Sequence, residues 1–219
     1  TAHALGELGE NSERVINALL LRLDDEDAGV RGLTAEALGK LGQGIERVVN
    51  ALLLCLDDQD DQNDQDELDV MVRTIAMEAL GKLGQGTETV VNAVLLRLDD
   101  DNSNVRSSAA NALGKLGQGT ERVVNALLSH LDDESRVRYS VADALGKLGQ
   151  GTERVVNALL LRLDDDDSDV RLSAAEALGK LGKNNPDILP LIVQWIEQHQ
   201  DSDYIGCGID ALWDMVATD

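Results

Sequence analysis

ERVVNALLLRLDDDDSDVRLSAAEALGKLG, residues 153–182, holds two helical stripes separated by a run of acids. In the first half Val155, Val156, Leu159, Leu160 and Leu163 recur at helical spacing and gather on one wide apolar stripe. Thr152, just before it, supplies an N-cap oxygen. In the second half Val170, Ala174, Ala177, Leu178 and Leu181 form another stripe, with Ser168 or Asp169 expected to cap it and Gly182 to end it. The acids between them favour the N-terminus of the second helix, where the helix dipole attracts negative charge. One such pair cannot cover both of its stripes, so neighbouring pairs must stack to complete a core.

The rest of the chain supplies those neighbours. The string ALGxLG recurs with its first leucine at Leu5, Leu38, Leu80, Leu113, Leu145 and Leu178, in steps of 33, 42, 33, 32 and 33 residues. The expected architecture is all-α, a solenoid of stacked antiparallel helix pairs in one array over residues 1–219. Residues 1–9 form a partial repeat. Full repeats follow at 10–42, 43–84, 85–117, 118–149 and 150–182, and a capping repeat at 183–219. Gly39, Gly81, Gly114, Gly146 and Gly179 fall in one column inside the second helices. A helix-interior glycine costs about 1 kcal/mol relative to alanine, which is sensible where helices crowd.

LDDDDSDVRLSAAEALGKLG, residues 163–182, resembles the HEAT-like repeat, in particular the short kind of phycobilisome (bilin) lyases, and the likeness extends over nearly the whole chain. It implies a HEAT-like or armadillo-type superhelix with an Asp/Arg ladder between repeats. Its rungs map to Arg31 with Asp24, Arg73 with Asp57, Arg106 with Asp99, Arg138 with Asp132 and Arg171 with Asp164. The resemblance also implies an alternative function, a lyase-type enzyme subunit or chaperone that binds a tetrapyrrole and a phycobiliprotein. The opening TAHALGELG reads as a second helix without its first, so the chain is expected to be a piece of a longer array. At the other end Trp213 replaces the column glycine, with Trp195 and Tyr204 nearby, as expected of a closing repeat.

The 42-residue step contains DDQDDQNDQDELDVM, residues 57–71, nine residues longer than the elbow of the fifth repeat and carrying eight acids. Its composition is that of a solvated loop. Asp58, Asp60, Gln62, Asp64, Asp66 and Asp69 also match positions 1, 3, 5, 7, 9 and 12 of a calcium loop. The match departs at Asn63, where the turn wants glycine, at Gln65, where an apolar residue is usual, and at Asp69, shorter than the usual glutamate.

Other chemistry has little support. Cys55 and Cys207 lie in distant repeats, so no disulfide between them is expected, and His3, His130 and His199 are scattered rather than grouped for zinc. No nucleophile elbow, phosphate loop or dinucleotide fingerprint occurs; the GQG strings follow helices as turns. With 41 acids against 19 Lys and Arg, net charge −22, the chain is a poor match to phosphate backbones and anionic membranes, and it has no apolar run of bilayer length. No cofactor or catalytic residue is expected.

Two faces are candidates for binding. On the second helices the row Gly32, Thr74, Ser107, Tyr139 and Leu172 varies while its neighbours stay fixed, which fits either a wall tuned to a ligand or drift at exposed sites. Met77 adds a soft apolar spot there. Beside it, Glu36, Glu78, Asp143 and Glu176 precede Lys40, Lys82, Lys147 and Lys180 by four residues, the spacing of helix ion pairs. On the first helices Leu21, Leu54, Leu96 and Leu161 point away from the stripe, giving either an apolar ridge for self-association or docking, or leucines covered by Arg stems. The expected function is a non-catalytic, cytoplasmic protein-binding scaffold. Its near-identical repeats resemble the recognition arrays of large signalling ATPases, and its partner is expected to be a protein or peptide, favoured if basic.

Overall fold

The computed structural model describes residues 13–41, 46–56 and 67–217, and every described element is helical. The partial repeat at 1–9, Asp57, and Asp58, Asp60, Asp64 and Asp66 of the calcium spacing lie outside these residues. Two compact units divide the chain, residues 1–116 and 117–219. The first contains α1 (Glu13–Leu20), α2 (Ala28–Leu41), α3 (Glu46–Leu54), α4 (Glu67–Leu83), α5 (Glu88–Leu96) and α6 (Ser103–Leu116). The second contains α7 (Glu121–Leu128), α8 (Ser135–Leu148), α9 (Glu153–Arg162), α10 (Ser168–Asn184), α11 (Leu189–Gln198) and α12 (Ile205–Val216).

In each unit the second helices of successive repeats pack broadly on one another, α2 on α4 on α6 and α8 on α10 on α12, while each first helix lies against its own partner. The stripes read from the sequence supply the core. Val155, Val156, Leu159 and Leu163 are buried from one side, and Val170, Ala174, Ala177, Leu178 and Leu181 from the other. The glycine column marks where second helices cross. A Cβ on Gly39 would stand 2.6 Å from Cβ of Ala79, and one on Gly146 would stand 2.8 Å from Cα of Ala177, so neither helix pair can close around a larger residue.

Helix ends follow the expected chemistry with two exceptions. Thr152 Oγ1 accepts from the Val155 N–H at 3.4 Å, and Thr87 and Thr120 do the same in their repeats. Gly149 takes φ +68° just after α8, the left-handed conformation that ends a helix. Gly182, the matching glycine of the next repeat, does not end α10, which continues to Asn184. Lys183 and Asn184 replace the Gln-Gly of the other repeats, and the space a Cβ on Gly182 would need is filled by Met215. The cap of α10 is Asp167 rather than Ser168 or Asp169; its Oδ1 accepts from the N–H groups of Asp169 at 2.9 Å and Val170 at 3.3 Å.

Candidate functional site

The acids and bases of the chain are sorted by position. On the second helices they cancel: Lys40 pairs with Glu36 at 2.9 Å, Lys82 with Glu78 at 3.6 Å, Lys147 with Asp143, and Lys180 with Glu176 at 3.6 Å and Asp143 at 3.8 Å. At the elbows they do not. Segments 24–27, 57–69, 99–101, 132–134 and 164–169 hold 23 of the 41 acids, and the arginines beside them are the five ladder residues with Arg22, Arg97, Arg136 and Arg162.

Arg31, Arg106, Arg138 and Arg171 work first inside their own elbows. Arg31 Nη1 donates to the carbonyls of Asp25 and Glu26, Arg106 Nη1 to those of Asp100 and Asp101, Arg138 Nη1 to that of Asp133, and Arg171 Nη1 to those of Asp165 and Asp166. These bonds serve backbone acceptors that the preceding turn leaves open. The rest of the guanidinium reaches the next repeat. Arg31 Nη2 meets Asp69 at 3.2 Å, Arg73 Nε lies 3.6 Å from Asp100, and Arg138 grips Asp165 through Nε at 2.9 Å and Nη2 at 2.5 Å. The carboxylate on these rungs is therefore not the first acid of the Leu-Asp-Asp string, as the resemblance implies through Asp24, Asp99, Asp132 and Asp164. It is the second acid, Asp100 or Asp165, or the inserted repeat's Asp69. The first acid turns outward: the Asp132 side chain is 90% exposed, and Asp164 instead meets His199 Nε2 at 3.0 Å. At Arg171 an aromatic face replaces the carboxylate, with the guanidinium carbon 4.1 Å from the Tyr204 ring centroid.

The Arg138 rung perturbs its partners. Burial of Asp165 works against its ionisation, but the hydrogen bonds from Arg138 and from the Asp167 N–H outweigh it and hold the carboxyl below its ordinary range. The bond to Asp165 raises the Arg138 guanidinium above its ordinary value. Asp167 is lowered by the N–H of Asp169, then by Ser135.

The expected ligand row does not form one open wall. Gly32 is buried against α4, where a Cβ would meet Met71 and Ile75 at 3.2 and 3.3 Å. Ser107 and Met77 are buried, Thr74 is half-buried, and only Tyr139 and Leu172 stand out. The row lies at the seam between successive second helices, so short side chains are covered and long ones protrude. Asp69, the last calcium-spacing residue, is buried in the first turn of α4 and engaged by Arg31. Among the described residues no group of three His, Cys, Asp or Glu is placed to hold a metal, and no helix is long and apolar enough to cross a membrane. On the first helices Leu21, Leu54, Leu96 and Leu161 are 69–79% exposed, so Arg stems do not cover them.

Two features escaped the sequence reading. Asn17 accepts from Arg47 at 3.1 Å and Asn125 from Arg154 at 2.6 Å, a second ladder between first helices. Its signal is the recurring ERVVN string. The other feature is position 162: Arg162 Nη1 donates to the Leu131 carbonyl of the preceding repeat at 3.0 Å, and Nη2 lies 3.4 Å from Asp132.

A family model of HEAT repeats matches residues 63–146 and 120–179. No curated protein sequence matches the chain. Among solved structures, an engineered protein is 20% identical with TM-score 0.61, covering 93% of this chain and 99% of its own. A designed armadillo repeat protein in complex with the peptide (KR)4 is 16% identical with TM-score 0.60, covering 93% and 100%. The complex of CpcE and CpcF of phycocyanin lyase from Nostoc sp. PCC7120 is 20% identical with TM-score 0.51, covering 92% and 94%. At these identities the likeness is one of fold.

Proposed function

The chain belongs to the HEAT-repeat family, and on that premise we propose that it is a non-catalytic scaffold whose elbows bind Lys- and Arg-rich segments of protein partners. The observation that carries this reading is the sorting of charge. Acids on the second helices are paired with lysines four residues on, whereas the elbows concentrate 23 of the 41 acids around nine arginines. The acidic elbows of each unit offer negative potential, which draws a cationic segment and rejects phosphate backbones.

A fold that carries peptide recognition in a related architecture supports the same reading. The designed armadillo protein noted above was solved with an alternating Lys/Arg peptide, and it covers nearly the whole of this chain. Titration calorimetry of the full chain with (KR)4 at about 0.05 and 0.3 M salt tests it, since screening shortens the reach of exposed charges to under about 10 Å across this range. Binding that weakens by about tenfold or more is expected. No heat at the lower salt, or equal affinity for an acidic peptide of the same length, would overturn the proposal.

A further inference from the structure

Of the described residues that line the groove between the first and second repeats, one differs from its counterpart between the fourth and fifth. In the later seam Arg162 folds back over the groove, donating to the Leu131 carbonyl and pairing with Asp132, and its side chain is 21% exposed. The column at this position reads Arg22, Cys55, Arg97, His130 and Arg162. In the second repeat it is therefore Cys55, whose thiol is buried and donates within its own helix to Ala51 O at 3.4 Å. A cysteine is far too short to reach the preceding repeat.

The seam beside Cys55 is correspondingly open. A groove of about 540 Å³ is lined by Leu20, Leu23, Asp24, Asn50, Leu54 and Cys55, among others. Leu23 and Asp24 are the counterparts of Leu131 and Asp132, the two residues of the preceding repeat that hold the Arg162 guanidinium alongside Asp165 of its own repeat. Asp25 also lines the groove and is met by Arg22 at 3.4 Å. Two further arginines stand on its walls with work elsewhere: Arg31 on the elbow carbonyls and Asp69, Arg47 on Asn17 and Glu13. Leu20, Leu23 and Leu54 offer apolar surface for the methylenes of a long cationic side chain, and Asn50 adds an amide at the rim.

We propose that this groove is a guanidinium seat filled in trans: where the fifth repeat supplies its own arginine, the second repeat receives one from the bound partner, between the Leu23 carbonyl and the Asp24 carboxylate. Arginine suits the seat better than lysine, because its two terminal nitrogens, fixed in one plane, reach the carbonyl and the carboxylate from separate atoms, as Nη1 and Nη2 of Arg162 do. The seat deepens the scaffold reading by naming the residue it selects, and it rests on that reading for its peptide partner.

Its test separates the two. The full chain, its Cys55→Arg and Cys55→Ser variants are titrated with an all-arginine and an all-lysine octapeptide, and by NMR with N-acetyl-arginine amide alone. Wild type and Cys55→Ser should prefer the arginine peptide by about tenfold, the discrimination given by charge-assisted bonds that a lysine cannot match. Cys55→Arg should lose that preference, because its own side chain fills the seat, while keeping its affinity for the lysine peptide. In the NMR titration, N-acetyl-arginine amide should shift resonances of Leu23, Asp24 and Leu54 in wild type and not in Cys55→Arg. Equal binding of both peptides by wild type, or a preference that survives Cys55→Arg, overturns the seat but leaves the scaffold reading standing. Shifts by the amide with neither peptide bound would overturn the scaffold reading and leave the seat.

Discussion

The elbows and the outer wall of the second helices are built from the same acids and bases, yet they do opposite things with them. On the wall, Glu36 and Lys40 or Glu176 and Lys180 stand one turn apart in solvent and cancel locally. In the elbows Arg31, Arg106, Arg138 and Arg171 turn inward to serve backbone carbonyls, Arg31 and Arg138 also hold a carboxylate of the next repeat, and acids such as Asp99 and Asp132 stand exposed. Position along the repeat, rather than composition, thus decides whether charge becomes a structural bond or an external field.

The comparison can be broken by removing single members of each set. Arg138→Ala strips the donor from the Asp133 carbonyl and leaves the Asp165 carboxylate, whose side chain is 3% exposed, with only the Asp167 N–H at 3.0 Å and Arg162 at 3.6 Å. Loss of a hydrogen-bonded charged partner costs about 1.5–3 kcal/mol, so urea unfolding of the full chain should shift by that amount. A smaller loss is expected from Gly39→Ala, whose methyl would stand 2.6 Å from that of Ala79. Overpacking costs about 1–3 kcal/mol, partly offset by about 1 kcal/mol of helix propensity.

Acid should act through the elbow. Asp165 has its folded pKa below the unfolded value of about 3.9, so its contribution is complete above about pH 4 and is lost as pH falls through the folded value. Stability should therefore drop as pH is lowered below about 4, and Asp165→Asn should flatten that part of the profile in thermal melts. The smallest effect belongs to the wall: Lys82→Ala removes an exposed pair with Glu78 and should change stability by no more than about 0.5 kcal/mol.

The helix pairs and their stacking were legible because each repeat reprints two stripes, a threonine cap and a glycine at the crossing, and Gly39 and Gly146 sit where the column requires. The end of α10 was not, since Gly182 is identical to the glycines that stop the other helices, and what sets it apart is the Lys183-Asn184 that follows it and Met215, far along the chain, packed against it. The row through Gly32, Ser107 and Met77 was misplaced because a single helical wheel cannot separate the open side of a helix from its seam with the next repeat. The ladder was read one residue early: adjacent acids such as Asp99 and Asp100 look alike in sequence, and the turn of the elbow sends only the second inward. The Cys55 column was visible from the start, but its meaning needed the Arg162 contact.

The measurement that tests the division of labour most directly compares two charge variants for affinity toward (KR)4 at about 0.05 M salt. One carries Glu26→Gln, Asp101→Asn and Glu134→Gln in the exposed elbows, and the other Glu36→Gln, Glu78→Gln and Glu176→Gln on the wall. Loss of about tenfold or more in the elbow variant, with the wall variant within about twofold of wild type, is the predicted result. Equal losses in both, or a larger loss from the wall, would contradict it.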